Sequence, residues 1–203
     1  MVSVFDHETV SSILKDRRFG REIPSEMALD IPAHLKPFYD VEAHSMLELE
    51  PPRHKRLRGL VLRAFTSRRI EALGPEVEKL TWQLIDEFSN DTVDLLPKFA
   101  AKIPVIIISR LLGVPESMVD DLLRWSNDMV MMYQARRTRF HEERAVSSTQ
   151  EFVEFMKGYV ELRRNKPADD LITHLILAEQ DGEHLSTDEL IATCILLLNA
   201  GHE

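Results

Sequence analysis

The sequence predicts a mainly α-helical fold, and three observations lead there. Glycine is scarce, with seven residues in 203. Apolar side chains recur every three or four positions over long stretches. The last segment, from Leu190 to Leu198, is apolar nearly all round, which marks a helix in the centre of a large protein. With 44% hydrophobic and 29% charged residues, the composition is that of a globular chain. The length suffices for one domain with a sizeable core, and no repeat, low-complexity segment or linker divides it.

The elements follow in order. Residues 2–5 read as the end of a short strand. Asp6 or His7 starts a helix to about residue 15, with Val10, Ile13 and Leu14 on one face. Residues 19–50 hold Pro24, Pro32 and Pro37 and lack a clear period; a short helix fits near 26–30 or 33–40. Pro51-Pro52 opens the next helix, where missing amide donors cost least. That helix runs to about residue 65, and Thr66 or Ser67 caps its successor. Gly74-Pro75 predicts a turn before a helix bearing Val77, Leu80, Trp82, Leu84, Ile85 and Phe88, which Asn90-Asp91 ends. Residues 92–94 are a candidate strand. Residues 95–112 form an apolar helix in which Pro104 marks a kink or an early turn. Leu112-Gly113-Val114-Pro115 is a helix stop followed by a start.

Residues 115–133 and 138–164 read as two long amphipathic helices joined through Arg136, Arg137 and Arg139. Pro167 interrupts, a shorter helix runs from Asp169 to about residue 178, and Asp181-Gly182 turns the chain. Ser186 begins the last helix with Glu189 completing a capping box.

Composition also excludes. A net charge of −9 disfavours nonspecific binding to nucleic acid or anionic membranes. No apolar run approaches the roughly 20 residues of a membrane span, and the N-terminus lacks the basic flank and apolar core of a signal peptide. One cysteine rules out an internal disulfide framework and a cysteine-rich zinc site. A cytoplasmic location follows by default. His202-Glu203 and His7-Glu8 each lack the second histidine of an H-E-x-x-H zinc motif.

Seven of the 25 lysines and arginines fall within the 17 residues from Arg53 to Arg69. His54 and Arg58 lie four apart and share a helix face. Such a pair suits carboxylates or a phosphate, arginine offering a flat fork of donors and histidine one directed N–H. An H-x-x-x-R pair in isolation reads more readily as a solvated basic face. The wider string, HSMLELEPPRHKRLRGLVLRAFTSRRI, is long and specific: it closely resembles the C-helix signature of the cytochrome P-450 family, the soluble bacterial heme-thiolate monooxygenases. Arg53 departs from it, standing where bacterial members often carry an acid.

The resemblance implies that His54 and Arg58 bind the two propionates of heme b, whose burial without counter-charges would be costly. The remaining arginines would face a ferredoxin- or flavodoxin-type electron donor, although solubility explains them individually as well. LLLNAGHE, residues 196–203, resembles the family's I-helix oxygen-binding stretch. There Ala200 and Gly201 would leave room beside the heme, and Glu203 would serve in proton delivery. VFDHETVSSILKDRRFG and ISRLLGVP resemble the strand-to-B-helix junction and the end of the E helix.

The expected fold is therefore the N-terminal half of the cytochrome P-450 helical fold, a single partial domain over 1–203, incomplete at both ends. The last helix carries no stop signal, which suggests that the natural protein continues. The family's axial cysteine loop is absent, so no metal ligand is assigned, and Cys194 is read as a core residue. The expected substrate is a small apolar organic molecule, taken with O2. It would meet the irregular region 24–48, Met129, Met132, Leu196 and Asn199; for the methionines, ordinary core packing is the competing reading. The fragment alone is expected to be inactive. Two alternatives are a helical ligand-binding or regulatory protein and a degenerate gene product without activity; a helix-turn-helix regulator fits poorly with the prolines in residues 1–50.

Overall fold

The computed structural model describes residues 3–28, 30–65, 67–89 and 92–202, and at 67–69 the backbone alone. Among them nine α-helices follow in order: α1 His7–Lys15, α2 Lys36–Glu42, α3 Arg53–Ala64, α4 Ser67–Asp86, α5 Lys102–Leu112, α6 Val119–Val130, α7 Arg139–Asn165, α8 Leu171–Leu177 and α9 Thr187–Gly201. The only β pairing among the described residues is an isolated bridge between Gln180 and Glu183. Neither expected strand forms within them. At 92–94, Asp94 instead accepts the backbone N–H of Leu96 at 3.1 Å and starts the next helical turn.

Local signals explain most boundaries. Asp6 caps α1 through the N–H of Thr9 at 2.8 Å, satisfying an amide that has no partner within the helix. Ser186 and Glu189 form the reciprocal capping box at the start of α9. Gly113 ends α5 at φ +80°, a conformation that side chains disfavour. Asp181 and Gly182 make the expected turn with positive φ at both residues.

Other expectations need correction. Residues 74–75 do not turn: α4 runs through Pro75. A proline inside a helix removes one hydrogen bond and costs about 3 kcal/mol. Against that, Leu73, Val77, Leu80 and Leu84 form one continuous apolar stripe, with Leu80 and Leu84 buried. Trp82, counted with that stripe in sequence, is exposed. The predicted 95–112 helix is divided into a π-helical turn over Leu96–Ala100 and α5, with Pro104 in the first turn of α5, where its missing donor matters least. The Thr66 cap and the Asn90-Asp91 stop lie outside the described residues.

The core gathers around α9, which packs against α2, α5, α6, α7 and α8. Leu190, Ile191, Cys194, Ile195 and Leu198 are buried on several sides of it. α6 and α7 form the most extensive helix pair, seamed by Trp125 against Phe152 with ring centroids 5.2 Å apart. The other side of that seam is polar and paired: buried Asp128 accepts from Ser148 Oγ at 2.7 Å and from Arg144 at 2.7 Å.

A second junction joins three distant pieces of chain. The carbonyl of Gly113 accepts from the Tyr159 hydroxyl and, at 3.0 Å, from Arg163. Arg163 also pairs with buried Asp170. Asp170 in turn caps α8 through the N–H of Thr173 at 2.8 Å. A Cβ at position 113 would run into Asp170, so close approach and positive φ both require glycine.

Phe152 has no exposed surface. Phe152→Ala is therefore expected to destabilise the fold by about 3–5 kcal/mol, read as a lower denaturant midpoint with unchanged slope.

Candidate functional site

The basic helix α3 is amphipathic. Leu57, Leu60, Val61 and Ala64 turn inward and are buried. Its first turn carries Arg53, His54, Lys55 and Arg56 and no acid. Cations there face the positive end of the helix dipole, an arrangement that typically disfavours the helix by about 0.3–1 kcal/mol each at low salt. Helix stability therefore does not account for these residues, and their engagement distinguishes them.

Arg53 pairs with Glu22 at 3.4 Å and donates to the Ala43 carbonyl at 3.1 Å. Arg56 pairs with Glu183 at 3.4 Å and with Glu189. His54, half-buried, and Arg58, exposed, have no side-chain hydrogen bond or ion pair among the described residues. One turn further on, the strip continues to Leu62, an exposed leucine. Lys55, also without a partner among the described residues, lies at its edge. A free cation pair beside an exposed apolar side chain suits a ligand with carboxylates at one end and an apolar body. These residues fit the two propionates and the ring of heme.

The end of α9 supplies the second set. Leu196 is half-buried and Ala200 exposed on one strip of a helix that is otherwise mostly buried. Gly201 is exposed, yet a Cβ there would collide with Ile108 of α5. Its smallness thus also serves the packing of α9 against α5. Glu203 lies outside the described residues.

The other expected pocket residues are placed differently. Met129 and Met132 are buried in the hydrophobic core. Neither lines the clefts beside α2 or between α6 and α7. Asn199 is buried and accepts from Ser126 Oγ at 2.6 Å. His202 extends this tie, with Nδ1 at 2.8 Å from the Leu198 carbonyl and Nε2 at 3.1 Å from Asn127 Oδ1. Together they lash the end of α9 to α6. Sequence reasoning missed this network because Ser126 and Asn127 lie some 70 residues away and carry no motif.

No helix of the described residues is long and apolar enough to cross a membrane. No group of three metal-binding side chains occurs among them. Cys194 is fully buried, and desolvation pushes its thiol up to about 12, with Asp170 adding to the effect. It is a neutral core thiol, not a thiolate ligand.

The chain is mostly helical, with a central helix ending in Ala-Gly and a basic helix presenting a His/Arg pair that has no partner among the described residues. It belongs to the cytochrome P450 family, whose complete members bind heme. It is 39% identical over 206 residues to cytochrome P450 107B1 of Saccharopolyspora erythraea, an alignment covering 97% of this chain and 48% of that protein. The 6-deoxyerythronolide B hydroxylase of the same organism is 36% identical over 196 residues, covering 96% and 46%. Among solved structures, P450BioI in complex with an acyl carrier protein ligated to hexadec-9Z-enoic acid superposes with a TM-score of 0.87 at 27% identity, over 97% of this chain and 50% of that one. The chain spans about half the length of the curated relatives it matches. No family model matches it.

Burial of Cys194 gives a direct check. A thiol reagent at pH 8 is expected to leave the folded chain unlabelled and to label one cysteine once denaturant is added; prompt labelling without denaturant would contradict the placement.

Proposed function

We propose that this chain is the part of a heme-dependent monooxygenase that holds the cofactor's carboxylates and forms the small-residue strip beside its oxygen-binding face. The complete protein would insert one oxygen atom of O2 into a small apolar organic substrate. Its electrons would come from a ferredoxin- or flavodoxin-type donor docking near the basic surface of α3. The observation that carries this reading is the uncommitted His54/Arg58 pair on a helix whose neighbouring arginines are both engaged.

Heme, when bound, supplies the oxygen-activating chemistry. The residues of this chain do the rest of what is assigned to it. Arg58 offers a fork of N–H donors and His54 a single directed one, enough to give each of two carboxylates a hydrogen-bond partner where it would otherwise be buried unpaired. Ala200 and Gly201 keep side-chain bulk away from one strip of α9, and Leu196 lends that strip an apolar surface. Glu203 is the acid assigned to proton delivery by its place in Ala-Gly-His-Glu. Apolar substrates are supported by the relatives, which include a hydroxylase of 6-deoxyerythronolide B and a P450 seen with a fatty-acid-loaded carrier protein. The regulatory and degenerate readings find no support among them.

The test uses a longer form of the protein that includes a cysteine loop. His54→Ala with Arg58→Ala should weaken heme retention by about 10–100-fold, the worth of one or two charge-assisted hydrogen bonds. Unchanged retention would remove the propionate assignment. The 203-residue chain mixed with heme should give no thiolate-type ferrous–CO spectrum.

A further inference from the structure

Three carboxyl groups are buried among the described residues: Glu42, Asp128 and Asp170. Asp128 and Asp170 are each ion-paired with an arginine, Arg144 and Arg163. Glu42 does not. Its Oε2 accepts from the Tyr133 hydroxyl at 2.9 Å, across 91 residues of sequence. The cation that faces it, Arg21 from the segment after α1, is already ion-paired with Glu48 at 2.5 Å and gives its backbone N–H to Glu50. Glu48, from the loop before α3, brings a second negative charge. Glu42 ends α2, and Tyr133 ends the 3-10 turn Met131–Tyr133 that follows α6. Phe38 of α2 packs edge-on against the Tyr133 ring, centroids 6.2 Å apart. One hydrogen bond and one ring contact thus fasten α2 to the end of α6. On its other side α2 walls a cleft of about 450 Å³, through Pro37, Asp40 and Val41, opposite Thr149 and Val153 of α7 and Ile191 of α9.

We propose that Glu42 and Tyr133 form a proton-operated clasp: neutral Glu42 keeps α2 docked on the turn after α6, and its ionisation releases α2 and widens the cleft beside α7.

Desolvation raises Glu42 from its ordinary value to about 7, Tyr133 donation and Arg21 pull it down, and Glu48 pushes it up further. The sign follows from linkage. The docked state binds the proton more tightly than the released one, so docking is favoured fully below the ordinary carboxyl value of 4.5 and is lost as pH rises through about 7. A difference between 7 and 4.5 limits the change in the docked-to-released ratio to about 300-fold, since each unit is tenfold.

Hydrogen exchange of the 36–44 amides in the full chain, measured from pH 5 to 8.5 and expressed as protection factors, tests this. In the unaltered chain, protection should fall from pH 5 to about 7 and level off above it, by less than about 300-fold in total. Glu42→Gln should abolish the pH dependence, because its amide oxygen still accepts from Tyr133 and cannot ionise. Tyr133→Phe should lower protection at acid pH yet retain the fall, because Glu42 stays buried. The α9 amides should remain unchanged in all three proteins. Histidine is the usual source of neutral-pH transitions, and His34 and His44 flank α2; a fall that persists in Glu42→Gln would assign the transition to them and overturn the proposal. A flat profile in the unaltered chain, or parallel loss of protection in α9, would overturn it as well. The measurement needs no heme, so its outcome is independent of the monooxygenase reading.

Discussion

Everything in this fold answers to one constraint: α9 is apolar on nearly every side and must be surrounded. A helix with a single apolar stripe is satisfied by one neighbour, whereas α9 engages α2, α5, α6, α7 and α8. Its buried residues, among them Leu190, Ile191, Cys194, Ile195 and Leu198, point in several directions at once. The capping box at Ser186 fixes where the helix begins. The Ser126–Asn199 bond fixes its far end against α6. Between those two ends, α9 meets its neighbours through apolar packing.

Charge works differently, at the periphery. The chain carries an excess of acids, and most arginines near an acid are drawn into pairs: Arg53 with Glu22, Arg56 with Glu189, Arg124 with Glu151. Exposed pairs of this kind contribute little to stability, about 0–1 kcal/mol each. What they do is sort the cations of α3 into those engaged by the protein itself and those left over. That His54 and Arg58 fall in the second group gives the basic helix its functional interest.

The helical elements were largely legible in the sequence, because capping and periodicity are local. Asp6, Gly113, Asp181-Gly182 and the Ser186–Glu189 box each mark a boundary through backbone chemistry that a few adjacent residues determine. Gly74-Pro75 misled for a related reason: its turn preference is local, and the buried stripe through Leu80 and Leu84 that overrides it is tertiary. The candidate site was legible only through its motifs. His54 and Arg58 sit together because four residues make about one helical turn. Asn199 and the two methionines showed nothing of their surroundings, since Ser126 meets Asn199 through the folded arrangement of two distant helices. Glu42–Tyr133 was illegible for the same reason.

The junction at Gly113 bears on how the molecule comes apart. α8 has seven residues, too few to hold a helix in water by itself. It is anchored by Asp170, whose own charge is neutralised by Arg163 near the end of α7, which also reaches the carbonyl that terminates α5. Opening any one of the three segments would strand a buried charge or an unsatisfied carbonyl in the other two. Fraying at α8 is thereby converted from an independent local event into part of a larger cooperative unit, and a seven-residue helix inherits the persistence of the two long ones that grip it.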